Sequence, residues 1–300
     1  MPCRYALAAL VLMLAASARA TLLVYEPFDY PVGTLAGQNA TGHNLTGTFA
    51  SGSVVPATLE LRAETPSLGY GALRGAPSFA GQRLGQNLGT TAASAVAALA
   101  SPVSIAPDGA LFFSALFLFD DSTNGNRFAR IDLLNQQNGD VLSFGESVVG
   151  VMAVAIGAQT AAAGANGVSA GADRSFTNGQ VLFLFGRYQN GAAAQGDRLD
   201  LVGYETNAVT QIPGSFDPSD PAAQFRFSLT GVDIDMTRID AVRFEIRGSA
   251  NNFIDELRVG TTYADVVPEP AAAPLLLLGL AGFALRARFS RDAGARTPRG

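Results

Sequence analysis

Few side chains in this chain of 300 residues are spaced for chemistry. One His and one Cys leave no multi-histidine site and no cysteine zinc cluster. The histidine, His43, sits in the polar run Thr41-Gly42-His43-Asn44, with no nucleophile-elbow signature to make it the base of a Ser-His-Asp triad. Asp233 and Asp235 would share one side of a strand, the spacing a carboxylate pair needs, but no third acid follows and a solvated edge explains them. Glu60 and Glu64 are four apart in a segment without a helical apolar stripe. Calcium is the metal the sequence suits best: Asp120-Asp121-Ser122-Thr123-Asn124-Gly125-Asn126 collects hard oxygens, with Asp120, Asp121 and Asn124 as candidate ligands. An EF-hand count from Asp120 fails because its twelfth position is Ile131, and a plain Asn-Gly hairpin is the competing reading. Asp217 and Asp220 mark a second acidic loop with the same ambiguity. Tyr188, Tyr204 and Tyr263 are the candidate aromatic faces for a sugar, with Tyr188 and Tyr204 the preferred pair; there is no Trp, the strongest stacking residue. No catalytic residue is assigned, and the chain is expected not to be an enzyme.

The elements that would carry these residues are read from composition. Hydrophobic residues make up 48% and charged residues 15%, which describes a folded protein. The chain has no Lys, and a net charge of −5 argues against nucleic-acid binding, which needs a basic face. Residues 1–20 have the order of a secretory signal peptide: Arg4, an apolar run from Tyr5 to Ala16, then Ala18-Arg19-Ala20 as a small-x-small cleavage site for signal peptidase. The mature chain is expected to begin at Thr21. Residues 271–285 are 15 residues without a charge, followed by Arg286, Arg288, Arg291, Arg296 and Arg299. As a helix they span roughly 22 Å, short of the ~30 Å hydrocarbon core unless Arg286 and Arg288 snorkel. Residues 21–266 carry a balance of −10 and residues 267–300 one of +3, so body and tail are expected on opposite sides of a membrane, with the arginines cytoplasmic.

The body, 21–266, reads as β throughout. Residues 111–119 and 181–185 are apolar on both parities, as central strands covered on both faces are. Phe225, Phe227 and Leu229 alternate with Arg226 and Ser228; Val242, Phe244 and Ile246 with Arg243, Glu245 and Arg247; and Ala129, Ile131 and Leu133 with Phe128, Arg130 and Asp132, as half-buried strands do. Asn124-Gly125 and Asn138-Gly139 are hairpin signals, so residues 111–149 are expected to form a three-stranded meander. Residues 157–173 read as a Gly/Ala-rich loop, and residues 92–100 as a short helix. The expected fold class is all-β: a two-sheet antiparallel sandwich, with an N-terminal signal helix and one C-terminal hydrophobic helix.

Two resemblances sharpen this. Pro268-Glu269-Pro270, the short Leu/Ala/Gly span and the Arg-rich end (residues 286–300) resemble the PEP-CTERM sorting signal of exported proteins in Gram-negative bacteria that make exopolysaccharide. The resemblance covers residues 267–300 and implies an exosortase, a membrane-embedded protease-transpeptidase, that removes the tail. It departs from the family in the length of chain beyond Arg288. In the body, Leu22-Leu23-Val24-Tyr25-Glu26-Pro27-Phe28-Asp29-Tyr30 looks like the first strand of a concanavalin A-like jelly roll, and Asn252-Phe253-Ile254-Asp255-Glu256-Leu257-Arg258-Val259-Gly260-Thr261-Thr262 resembles its closing strand. Residues 181–188 and 198–204 resemble the inner strand pair of laminin G-like jelly rolls. The resemblance implies that first and last strands pair. The parity of residues 253–257 is irregular, which predicts a bulge there, and Asp255 is expected to cap loop amides rather than do chemistry. A hydrolase of this superfamily would carry E-x-D-x-x-E, which is missing. The expected role is an exported envelope or matrix protein, transiently anchored in the inner membrane, that is structural or adhesive and meets exopolysaccharide. The alternatives are a dedicated carbohydrate-binding module and, behind it, a glycoside hydrolase-like enzyme.

Overall fold

In the computed structural model the described residues are 22–51, 61–69, 82–86, 92–118, 128–137, 139–148, 151–152, 156–158, 179–191, 196–208, 212–232, 236–247 and 252–268. They form two antiparallel sheets packed face to face. The larger holds β1 (Leu22–Glu26), β2 (Gly33–Thr34), β4 (Leu61–Glu64), β5 (Arg83–Gln86), β7 (Ala110–Leu118), β12 (Val181–Gln189), β13 (Asp197–Glu205), β14 (Phe225–Val232) and β16 (Phe253–Gly260). The smaller holds β3 (Leu45–Ser51), β6 (Ala92–Ser104), β8 (Phe128–Asn135), β9 (Asp140–Val148), β10 (Val151–Met152), β11 (Ile156–Ala158) and β15 (Arg238–Arg247). The order across the larger sheet is β14-β13-β12-β7-β16-β5-β4-β2, with β1 also on β16; across the smaller it is β10-β9-β8-β15-β6-β3, with β11 on β9.

The first and last strands pair antiparallel, Val24 opposite Val259 and Glu26 opposite Leu257, so the two ends of the body meet on one strand. The irregular parity of residues 253–257 is a β-bulge: Glu256 has φ 56°, and the β16–β7 register shifts between Asp255 and Arg258. Asp255 accepts hydrogen bonds from Ser67 Oγ (2.6 Å) and the Leu68 amide (2.9 Å), the amide-capping role expected of it.

Strand parity decides what lies between the sheets. Leu111, Phe113, Ala115 and Phe117 of β7 and Leu182 and Leu184 of β12 face Ile131 and Leu133 of β8, Leu142 and Phe144 of β9, and Val242, Phe244 and Ile246 of β15 in one continuous core. Aromatic pairs tie the layers together: Phe113 lies 4.4 Å from Phe144 and Phe28 meets Phe244 edge-on at 4.9 Å.

Two expectations are corrected. Residues 111–149 are not one meander: β8 and β9 pair as a hairpin, Gly139 taking φ 82° in its turn, but β7 lies in the opposite sheet between β12 and β16. Alternation sets which face of a strand is buried, not which sheet it joins. Residues 92–100 are not helical. Ala93, Ala95, Ala97 and Leu99 are buried with a period of two, and β15 and β3 hydrogen-bond β6 on its two sides, so tertiary pairing overrides the helical preference of alanine.

The outer face of the larger sheet is also partly apolar. Leu116, Phe183, Phe185, Val202 and Tyr204 form a second cluster, covered by Ala223 and Val266 and flanked by Phe216, Tyr263 and Val267. The covering segment includes the single-turn helix α1 (Tyr263–Val266), pinned by Ser114 Oγ donating to the Val266 carbonyl at 2.7 Å. Ser114→Ala leaves that carbonyl without this donor and is expected to cost about 1–2 kcal/mol, read from the urea midpoint.

Candidate functional site

The preferred aromatic pair is not available for stacking. Tyr188 shares the parity of Leu182 and Leu184, points between the sheets, and donates its hydroxyl to Asp197 Oδ2 at 3.0 Å. Tyr204 lies in the outer-face cluster, 2% exposed, donating to Asp220 Oδ2 at 2.7 Å. Both rings are packing elements with satisfied hydroxyls, so neither offers a face to a sugar. Tyr263 is half-buried, 5.3 Å from Phe185, with its hydroxyl on the Pro213 carbonyl. Asp120, Asp121 and Asn124 lie outside the described residues, as do Asp233 and Asp235, Glu269, Pro270, Arg286, Arg288 and Arg291. Pro268 is described and buried at the end of the segment that crosses the larger sheet. Among the described residues no group of three or more His, Cys, Asp or Glu is placed to hold a metal ion, and no helix is long and apolar enough to cross a membrane.

The polar constellation the structure assembles lies on the outer face of β12, β13 and β14. Register sets it out in three cross-strand rows. Arg187, Asp200 and Ser228 form the middle row, Gln189, Arg198 and Thr230 flank it on one side, and Phe185, Val202 and Arg226 on the other. The opposite parity, Leu199 and Leu201 with Phe225 and Phe227, belongs to the core, so the sheet itself forces these side chains outward. Asp200 is fully buried and is the hub: Arg187 Nη2 lies at 2.6 Å, Arg198 Nε at 2.9 Å and Ser228 Oγ at 2.6 Å. Burial pushes its carboxyl up, but the hydrogen bonds from Ser228, Arg198 and Arg187 outweigh this and hold it below the usual carboxylate range.

Each guanidinium has five N–H donors and spends few of them on Asp200. Arg187 Nε is buried with no hydrogen-bond partner among the described residues, while the Arg187 guanidinium sits 5.2 Å from the Phe216 ring. Gln189, Arg226, Ser228 and Thr230 are exposed. Arg226 donates to the Asp220 carbonyl at 3.2 Å. This face can donate several hydrogen bonds from a rigid sheet beside an aromatic edge. A carboxylate already paired to two arginines is a poor group for transferring a proton. The alternation Arg198, Asp200, Val202, Tyr204 was the available signal for it, but sequence does not say that three such strands lie side by side. Asp200→Asn leaves two guanidiniums facing each other and is expected to cost about 2 kcal/mol at neutral pH. The difference should shrink as pH falls through the folded pKa of Asp200, because a depressed carboxylate stabilises only while ionised; urea titrations at pH 7 and pH 3 check this.

The smaller sheet carries a different grid. Arg130 pairs with Glu245 (2.5 Å) and Arg243 with the fully buried Asp132 (2.6 Å). Two cations face two anions, so this grid is neutral and serves as cross-strand pairing.

No protein-family model matches the chain, and no curated protein matches it in sequence. Solved structures do resemble it. They include the T. cruzi calreticulin globular domain (8% identity, TM-score 0.45, covering 81% of this chain and 89% of that one), a peanut lectin bound to a 9mer peptide (10%, 0.39, 70% and 93%), and a lectin from Bauhinia forficata in complex with GalNAc (10%, 0.38, 80% and 97%). At these identities and scores the similarity does not assign an activity to this chain.

Proposed function

We propose that this protein is an exported carbohydrate-binding β-sandwich of the cell envelope or extracellular matrix, engaging polysaccharide through the outer face of β12–β14. The observation that carries this reading is the open, donor-rich constellation of Arg187, Arg198 and Ser228 around Asp200, beside Phe216 on a rigid sheet. Saccharides need several oriented donors and an apolar edge, and this face offers both. It replaces the tyrosine pair of the sequence reading and moves the balance from a purely structural or adhesive role towards dedicated glycan binding. A glycan array on the full-length chain in detergent tests it: retention of polysaccharides lost in Arg187→Gln/Arg198→Gln supports the reading, and retention of none rejects it.

The proposed route is export through residues 1–20, transient inner-membrane anchoring by residues 271–285, and removal of the tail by an exosortase at Pro268-Glu269-Pro270. Support comes from the placement of the body's ends: β1 begins at Leu22, directly after the expected cleavage site, and pairs with β16. The N-terminal processing segment therefore adjoins this strand pair, and the C-terminal one follows the short stretch, residues 261–268, that leaves β16 across the larger sheet. Neutralising Arg286, Arg288 and Arg291 is expected to let the tail slip through the membrane and abolish retention before processing. Mass spectrometry of the surface protein from the native host is expected to find Thr21 at the N-terminus and no Gly300; Met1 or Gly300 on the mature form would reject the route.

A further inference from the structure

We infer that residues 261–268 are a strap that closes the Pro268-Glu269-Pro270 motif to peptidases while it lies on the larger sheet, and that lifts before the chain is cut there; the inference rests on the sorting reading of that motif. A peptidase takes free, extended backbone, so susceptibility follows the burial and hydrogen bonding of the segment. On the N-terminal side of the motif neither favours cutting. Asp265, Val266 and Pro268 are buried and Val267 is half-buried. Residues 263–266 form a helical turn instead of an extended strand, and Asp265 Oδ2 closes it by accepting from the Thr262 amide at 2.6 Å. Hydrogen bonds pin the strap to the body at both ends of this turn. Ser114 Oγ, from β7, donates to the Val266 carbonyl at 2.7 Å, and the Tyr263 hydroxyl donates to the Pro213 carbonyl at 3.0 Å.

The strap is built to open by itself. β16 ends at Gly260, and among the described residues no backbone ladder joins the strap to a strand. A single helical turn has no stability of its own in water. Tyr263, Val266 and Val267 belong to the outer cluster with Leu116, Phe183 and Phe185 and not to the core between the sheets, so lifting them leaves that core intact. A segment with these properties opens at a lower cost than the sandwich. The same contacts keep it closed most of the time, because lifting it uncovers the apolar side chains beneath. When a segment opens and recloses faster than it is cut, cleavage follows the population of the open form. The pace of tail removal is then set by the body's hold on residues 261–268, and not by the peptidase alone.

The test is native-state proteolysis of the purified full-length chain in detergent, with thermolysin. This enzyme cuts on the N-terminal side of large apolar residues, so it reads the strap at Val266 and Val267 and the sandwich at Phe183 and Phe185, which are buried in β12. Mass spectrometry assigns the cuts. The wild-type strap is expected to be cut more slowly than the same bonds in a free peptide of residues 261–270, and faster than β12. Ser114→Ala and Tyr263→Phe are each expected to raise strap cutting about fivefold, the equivalent of one net hydrogen bond. Ile246→Val, in the core between the sheets, is expected to speed the cutting of β12 and leave that of the strap unchanged. The inference is overturned by a wild-type strap cut as fast as the peptide, by strap variants cut like the wild type, or by strap cutting that rises in step with β12 in Ile246→Val. A mature surface protein that keeps Gly300 in the native host rejects the sorting route instead, and leaves the closure of the strap standing.

Discussion

Gly186→Ala should destabilise the body by about 3 kcal/mol, and Gly186→Val should prevent folding. Gly186 lies in the middle of β12, directly opposite Phe113 of β7. A Cβ built on it would stand 2.0 Å from two carbons of the Phe113 ring and 2.7 Å from Leu201 Cδ2, well inside any van der Waals contact. The ring cannot swing away cheaply, because its other side packs on Phe144 of the opposite sheet at 4.4 Å. Moving it would separate the layers at the centre of the core. The strand takes glycine here to let an aromatic ring lie over its backbone, which is the packing use of glycine in a strand interior. Urea unfolding of Gly186→Ala measures the cost. Gly186→Ala/Phe113→Leu should recover part of it, since the smaller side chain vacates the contested volume. A single variant within 1 kcal/mol of wild type would show that the ring has another place to go.

Much of this core was legible in the sequence, and the reason is periodicity. Phe225 and Phe227, and Val242, Phe244 and Ile246, are buried where alternation puts them. The pairing of residues 22–26 with 257–260 was expected from the likeness of the two end strands, and the bulge at Glu256 from the irregular parity of residues 253–257. What alternation cannot supply is the partner of each strand. The chain passes from β7 in the larger sheet to β8 in the smaller, and nothing local distinguishes that from a hairpin. The same gap hid the candidate site. Arg187, Asp200 and Ser228 are 13 and 28 residues apart and meet only because β12, β13 and β14 are neighbours. Tyr188 is the instructive failure. Residue type suggested a sugar platform, while its parity with Leu182 and Leu184 already pointed inward.

Stability should fall as pH rises from 5 to 8, and Glu26→Gln should remove a large part of that slope. Glu26 is fully buried at the β1–β16 seam, accepting from the Phe28 amide at 2.7 Å and the Tyr30 hydroxyl at 2.5 Å. Burial pushes its carboxyl up to about 7 despite these hydrogen bonds, with the charge of Glu256 adding to the rise. Asp255, also fully buried, is likewise pushed up to about 7 by burial, against the pull of Ser67 and Leu68. Around them stand Tyr25, which donates to Glu256 at 3.0 Å, Arg258 over the Tyr25 ring at 4.8 Å, and Arg83, whose charge is felt by Asp255. In the unfolded chain both carboxyls would titrate near 4. A folded pKa above the unfolded one means that the native state holds the proton more tightly. Its stabilisation is therefore full below the unfolded value and lost as pH climbs towards 7. Between pH 5 and pH 7 each group can remove about 2 kcal/mol. Glu26→Gln carries no charge to desolvate, so it should be more stable than wild type at pH 8 by about 2 kcal/mol or more, and no more stable at pH 5. Thermal melts of both proteins at the two pH values decide the matter. A wild-type Tm that is equal at pH 5 and pH 8 would mean that water or a rearranged loop solvates the seam and that these carboxylates ionise without cost.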